Sequence, residues 1–255
     1  MRVAVLGAGP SGYMAAWGAL QCGSYVEMFS DAYIQRQNYG VFFLHNKCDL
    51  PLDATVIMQK IVGNKGMTPD EAASSYGRFV YGNENEGWGI KLALNEPEIV
   101  GYDPNIAMAL LSEIMLYIPK HIYTVNCLND VTSLLSKFDK IICTIPASSV
   151  FPDKKYPEID VWITWDYEKY KTNFFYTNVN PILGWHRLAS VFGRFSGEYM
   201  HPVPSSRMIK KVAGGMEVNY VHKDILFTGR YGAWDRKIRT EHVYTQTIDF
   251  LTQGR

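Results

Sequence analysis

Six residues starting at position 7, Gly7-Ala8-Gly9-Pro10-Ser11-Gly12, constrain the fold of this chain more than any other segment. They close RVAVLGAG at 2–9, a β-branched apolar run that reads as a buried parallel strand. PSGYMAAWGALQC at 10–22 follows with helical period, Ala15, Ala16, Ala19 and Leu20 being its packing positions. Gly23 stops that helix, and YVEMF at 25–29 is the next strand. Each glycine of this GxGxxG has its own physical task. Gly7 makes the tight turn, Gly9 leaves room for a pyrophosphate against the backbone, and Gly12 lets the helix lie on the strand. The first helical turn, with Pro10 and Ser11, presents free N–H groups and a partial positive charge to the phosphates. A motif in this setting, followed by a second strand, predicts a dinucleotide site. The acid that holds the adenosine ribose is expected at the end of the second strand. Ser30 stands there and Asp31 follows one residue later, so either side chain is a candidate for that contact.

Further blocks bear on which dinucleotide binds. GAGPSG with the following Ala-Ala resembles flavoprotein usage. Arg36 followed by Gly40 resembles the arginine-then-glycine stretch after the second strand of amine-oxidase-like flavoproteins, with Tyr39 where the family has a first glycine. KIICTIPAS at 140–148 ends in Thr144-Ile145-Pro146, similar to a T-x-P strand end in the same superfamily. HIYTVNCLNDV at 121–131 would supply the strand before it, with Val125 at the adenine contact. DILFTGRYGAWDRKIRTEHVYTQTIDFL at 224–251 is a strand, a glycine turn and a helix. There Gly229, Arg230 and Trp234 match the ending of UDP-galactopyranose mutases and FAD-dependent amine oxidases.

The chain therefore resembles this FAD-dependent superfamily, in a shortened form, over the blocks 1–45, 119–148 and 224–251. The resemblance implies an α/β fold with a Rossmann-like FAD-binding domain from 1–45, 100–150 and 220–255. A smaller α+β substrate domain with an antiparallel sheet, from 46–99 and 151–219, would be interleaved with it. It also implies FAD as cofactor, with the final helix aiming its positive end at the flavin from near Arg239–His242. Arg230 would lie close to the flavin and Trp234 would wall its pocket.

The remaining segments supply candidate substrate groups. Segment 46–118 is mostly helical by pattern, with Thr68-Pro69-Asp70-Glu71 as cap, first-turn proline and acidic first turn. Pro104–Tyr117 reads as a second amphipathic helix. VWITW at 161–165, NFFYT at 173–177 and SVFGRF at 190–195 read as antiparallel strands. By resemblance such a sheet roofs the flavin. Trp185, Arg187 and the nearby Arg194 would lie in it and are suited to a carboxylate, phosphate or base. His45, after the apolar run Gly40–Leu44, is placed to tune the flavin or move a proton. His45, Arg187 and Trp185 are the candidate catalytic residues.

Composition narrows the function classes. Formal net charge is zero, which disfavours a stable nucleic-acid coat or an anionic membrane surface. Residues 200–255 nonetheless carry nine basic and five acidic side chains, a mild pull on an anionic ligand. The four cysteines have no CxxC spacing and make no zinc pattern with the six histidines. No apolar run reaches the length of a membrane span, and no export signal is visible, so free thiols in a cytoplasmic protein are expected. HExxH, a P-loop lysine and a second GxGxxG are absent.

Three functions fit. The first is a FAD-dependent oxidoreductase in which flavin N5 accepts hydride from a small amine or alcohol. The second is a non-redox flavin enzyme of the mutase kind, or one acting on a modified nucleotide or nucleobase, with Arg187, Arg194 and Arg230 holding phosphates. The third is a non-catalytic flavin-binding protein. The expected partner is a small molecule, anionic or nucleotide-linked; the sequence does not fix the oligomeric state.

Overall fold

The computed structural model describes residues 1–32, 43–167, 172–213, 220 and 222–253, so Arg36, Tyr39 and Gly40 lie outside the described residues. The chain divides into two compact units. The first is Met1–Leu52, Pro104–Tyr156 and Gly215–Arg255; the second is Asp53–Asp103 and Pro157–Gly214. The fold is mixed α/β, with a parallel five-stranded sheet and a separate seven-stranded one.

In the first unit, β1 (Arg2–Leu6), α1 (Pro10–Gln21) and β2 (Tyr25–Ser30) open the chain as one strand–helix–strand unit. Helix α4 (Pro104–Ile114) and strand β5 (Lys120–Ile122) follow the excursion into the second unit. Then come α5 (Leu128–Ser133), β6 (Lys140–Cys143), α6 (Ala147–Val150), and at the end β12 (Ile225–Phe227) and α7 (Thr240–Thr252). The sheet order is β12-β6-β1-β2-β5, and every pairing is parallel. Parallel strands are covered on both faces, which is why β1 reads as an uninterrupted apolar run. One face buries Ala4, Leu6, Phe29, Ile141, Cys143 and Ile225 against Val131, Leu134 and Phe138. The strand expected over 121–131 is shorter than its pattern. It ends at Ile122, because the Asp130 carboxylate accepts the Asn126 and Cys127 N–H groups at 2.8 and 3.2 Å and starts α5.

Helix α1 packs on α7 through small residues. A Cβ on Gly18 would come within 3.0 Å of the Tyr244 carbonyl oxygen and 3.2 Å of the Thr247 side chain. Thr247 is fully buried, and its hydroxyl has no hydrogen-bond partner among the described residues. A buried unsatisfied hydroxyl costs roughly 1–3 kcal/mol. Thr247→Val keeps the shape and removes that group. Thermal unfolding should show a Tm higher by roughly 2–4 °C for a stabilisation near 1 kcal/mol.

The second unit is built on β3 (Thr55–Val62), β4 (Glu98–Gly101), β7 (Glu158–Tyr167), β8 (Phe174–Asn178), β9 (Trp185–Val191), β10 (Arg194–Tyr199) and β11 (Arg207–Val212). Their order is β11-β7-β10-β9-β8-β3-β4. All neighbours are antiparallel except β3 and β8, which run parallel. Helices α2 (Pro69–Tyr81) and α3 (Trp88–Asn95) complete the unit. The capping box expected at Thr68 forms: Glu71 N–H donates to Thr68 Oγ1, and Thr68 N–H donates to the Glu71 carboxylate at 2.7 Å. Helix α2 buries Ala72, Ala73, Tyr76 and Val80 beside Ile61 and Val179.

Two expectations need correction here. Segment 46–118 is not helical alone: beside α2, α3 and α4 it supplies strands β3 and β4. Strand β3 buries Ile57 and Ile61 but exposes Val56 and Met58, so apolar residues on both faces blur the period of two. Nor is SVFGRF one strand. Phe192 and Gly193 both have positive φ, 53° and 70°, which forms the two-residue turn of a β9–β10 hairpin.

Candidate functional site

The carboxyl ends of β1, β6 and β12 meet at one rim of the parallel sheet, the usual ligand-binding edge of such folds. Gly7, with φ +108°, donates its N–H to the Phe29 carbonyl at 2.7 Å and ties the end of β1 to β2. On the other side, the Thr144 N–H and hydroxyl both donate to the Leu6 carbonyl, at 2.9 and 2.8 Å. A Cβ on Gly7 would strike Thr144 Oγ1 at 2.5 Å, and one on Gly12 would lie 2.0 Å from the Gly7 carbonyl oxygen. At Gly9 a Cβ would meet none of the described residues within 4 Å. Two glycines are thus required by packing, while the third faces open space at the start of α1. Among the described residues that helix has no side-chain cap, and its first turn holds no acid, which suits its N–H groups to an anion.

The C-terminal turn interlocks with this one. Gly229, φ +81°, approaches so closely that a Cβ would sit 2.9 Å from Ser11 Oγ. Thr228 N–H donates to the Cys143 carbonyl at 3.0 Å, and Ala147 N–H to the Tyr231 carbonyl at 2.8 Å. Arg230 is half-buried, its carbonyl accepting from Asp235 N–H at 3.0 Å. Trp234 is 1% exposed, and its ring packs on Tyr156 and Tyr231. Pro146 is exposed and caps α6; Val125 is half-buried between β5 and α5.

At the ribose end, Ser30 is buried and its hydroxyl donates to the Ala32 carbonyl at 2.8 Å, whereas Asp31 is exposed. His45 lies in the irregular segment after Leu44. Its backbone N–H donates to Glu241 Oε1 at 3.4 Å, and its ring packs on Phe43. His45 keeps an exposed surface, but the packing around its ring and the charges of Arg239 and His242 lower its pKa.

The other two catalytic candidates, Trp185 and Arg187, belong to the second unit. Trp185 opens β9 opposite Tyr199, and its carbonyl accepts from the Asn178 side-chain amide at 2.6 Å. Arg194 pairs with Asp103 at 3.7 Å. Arg187 lies in a buried charged cluster. The pairing of β9 with β10 shifts register between Glu198 and Tyr199, a bulge that sets both His186 and Arg187 against Glu198. Glu198 is fully buried, 3.3 Å from His186 Nε2 and 3.7 Å from an Arg187 terminal nitrogen, and it is hydrogen-bonded to Lys211 Nζ. Tyr76 brings its hydroxyl from α2 to 3.3 Å from His186 Nδ1. Burial works to raise the Glu198 carboxyl, but Lys211, Arg187 and His186 hold it down to about 2. Burial pushes His186 down to about 3 against the pull of Glu198, so the imidazole is neutral. Tyr76, Glu198 and Lys211 had no signal in the sequence.

No protein-family model matches this sequence, and no curated protein does. Solved structures share its fold at low identity. A protein from Pyrococcus furiosus matches with a TM-score of 0.62 and 10% identity over 100% of this chain and 98% of that one. A tryptophan 6-halogenase from Streptomyces toxytricini gives 0.57 and 9% over 99% and 72%. A 2-methyl-3-hydroxypyridine-5-carboxylic acid oxygenase gives 0.53 and 10% over 100% and 83%. Among the described residues no helix is long and apolar enough to cross a membrane.

Proposed function

We propose that the chain is a FAD-dependent oxidoreductase acting on a small molecule. The observation that carries this reading is the glycine turn, where Gly7 and Gly12 are locked by packing while, of the three, only Gly9 meets no described residue, at a helix start with no side-chain cap among the described residues. That is the cradle a pyrophosphate needs. Gly7, Gly9, Pro10, Ser11 and Gly12 would hold the phosphates, with Asp31 on the ribose, since the Ser30 hydroxyl already bonds to Ala32. Val125, Thr144, Pro146, Gly229 and Arg230 would shape the rest of the site, and Trp234 would support the turn. Bound FAD would supply two-electron chemistry, as a hydride acceptor for an amine or alcohol or in oxygen transfer to a substrate.

The amine-oxidase and mutase resemblance favours the hydride reading. Neighbours named as a halogenase and an oxygenase of aromatic compounds favour oxidative chemistry on a ring. His45, its pKa lowered, would offer a neutral ring nitrogen that accepts a hydrogen bond or a proton from the substrate, becoming a cation as it does.

The test begins with the absorbance spectrum of the purified protein, whose flavin bands are expected. Anaerobic mixing with amines, alcohols, reduced nicotinamides and UDP-sugars then separates the chemistries. Bleaching by an amine or alcohol marks direct hydride transfer; bleaching by a nicotinamide marks an oxygenase. Turnover of a UDP-sugar by the reduced protein marks the mutase reading, and bound flavin that none of them touches marks a carrier. Protein that takes up no FAD at all refutes the proposal. Arg230→Ala should lower the flavin reduction potential or weaken flavin binding while the fold persists, because a permanent cation beside the cofactor favours its reduced anion. Unchanged potential and affinity would remove Arg230 from the site.

A further inference from the structure

Residues 45–50 belong to no helix or strand, yet two helices hold them down. Cys48 and Leu50 are buried, with Leu44 buried just ahead of them, while His45, Asn46, Lys47 and Asp49 stay exposed. From α1, the Trp17 indole N–H donates to the Cys48 carbonyl at 2.8 Å. From α7, the Tyr244 hydroxyl donates to the Asp49 carboxylate. Glu241, in the first turn of α7, is used twice. Its backbone carbonyl accepts from the Cys48 thiol at 3.8 Å, and its acid side chain accepts the His45 N–H at 3.4 Å. Inside the segment, Asn46 Oδ1 accepts the Cys48 N–H at 2.7 Å.

The backbone explains why so many ties are needed. Cys48 and Asp49 are successive non-glycine residues in the left-handed region, with φ 54° and 59°. A side chain is crowded there, so such a pair persists only where its surroundings over-determine it. A turn that merely reversed the chain would be made more easily with glycine. Glu241 adds a second cost, an acid only 3% exposed. Strain and a buried acid are thus spent on one short segment, and both bear on where His45 sits.

We propose that residues 45–50 are a strap latched onto α7, in which Tyr244 and Glu241 are positioning residues that hold His45 beside the start of that helix. This deepens the flavoenzyme reading and rests on it in one respect, that the start of α7 faces the flavin on which His45 would act. Tyr244 acts through Asp49. The left-handed pair carries that hold to Cys48, which Trp17 and Glu241 grip, and the same Glu241 fixes the His45 backbone. Without the Tyr244 hydroxyl the far end of the strap is released and the strain of the pair is unopposed. The strap then lifts more often, while the sheet and both helices stay in place.

The Cys48 thiol reports on the latch. Burial and the charges of Glu241 and Asp49 push its pKa up to about 12, so it alkylates when the strap lifts. Cys143, fully buried in the central strand β6, gauges opening of the whole unit. Iodoacetamide labelling of the native protein, read peptide by peptide by mass spectrometry, should modify Cys48 faster than Cys143. Tyr244→Phe and Asp49→Ala should each raise the Cys48-to-Cys143 rate ratio by about tenfold or more. Asp49→Asn, which still accepts the Tyr244 hydroxyl and tolerates a left-handed backbone, should keep the parent ratio. Equal rates for the two thiols in the parent, or an unchanged ratio in Tyr244→Phe, would overturn the strap. If Tyr244→Phe does not fold, an unchanged ratio in Asp49→Ala overturns it instead. In flavin-loaded protein, His45→Gln and Tyr244→Phe should shift the reduction potential in the same direction, and the double variant no further than His45→Gln alone. Additive shifts, or no shift in either, would overturn the positioning role. Flavin uptake with a failed labelling test refutes only the strap; a rise in the ratio in protein that takes up no flavin refutes only the flavoenzyme reading.

Discussion

A Gly9→Asp variant should fold as well as the parent protein and emerge without flavin. The Cβ meets none of the described residues within 4 Å, and the backbone at Gly9 has φ −84°, which any residue adopts. Aspartate is also a better helix cap than glycine by a few tenths of a kcal/mol, and its charge favours a helix start. The apoprotein should therefore melt at the same temperature or slightly higher. The same carboxylate stands where phosphate must lie, so FAD affinity should fall by about 100-fold or more, as for a few kcal/mol of like-charge contact. Gly9→Asn, which caps without charge, should lose less. Equilibrium dialysis with FAD and a thermal melt on each variant give both readouts. Full flavin retention in a soluble Gly9→Asp protein would remove the phosphate site from this turn.

Gly12→Ala should do the reverse and fail in the fold itself. Its Cβ would lie 2.0 Å from the Gly7 carbonyl oxygen and 2.8 Å from the carbonyl carbon, both backbone atoms at the end of a central strand. Neither can turn aside, so α1 must lift from β1 and with it the contacts of Met14, Ala15 and Ala16, all of them fully buried. A loss of about 3 kcal/mol or more is expected, at the upper end of overpacking costs. Urea unfolding should show a markedly lower midpoint. A midpoint within error of the parent would mean that the helix does not touch the strand here.

These two glycines also show what a sequence can and cannot disclose. The motif was legible because its demands are local: strand, turn and helix are contiguous, and each glycine answers to a neighbour a few residues away. The segment 224–251 was legible as strand, turn and helix for the same reason, but nothing in its letters says that Gly229 touches Ser11. Strand β3 was missed because its exposed Val56 and Met58 erase the contrast between its faces. The hairpin at Phe192-Gly193 was read through because a phenylalanine with positive φ is rare. The cluster around Glu198 was out of reach altogether. Its members come from α2, β9, β10 and β11, and a single-residue bulge decides that His186 and Arg187 both meet the acid.

The interlock of Ser11 with Gly229 sets an order on assembly. Strand β1 is made before β6 and β12, yet its neighbour β6 keeps a bare edge until Ile225–Phe227 is made, because β12 is the outermost strand on that side among the described residues. At ~5–20 residues per second, the glycine turn waits roughly 10–45 s for its C-terminal counterpart. During that interval the apolar strand Lys140–Cys143 is an open template for pairing with another chain. A nascent chain arrested before residue 225 should be held by chaperones or aggregate, whereas one arrested after Thr252 should not.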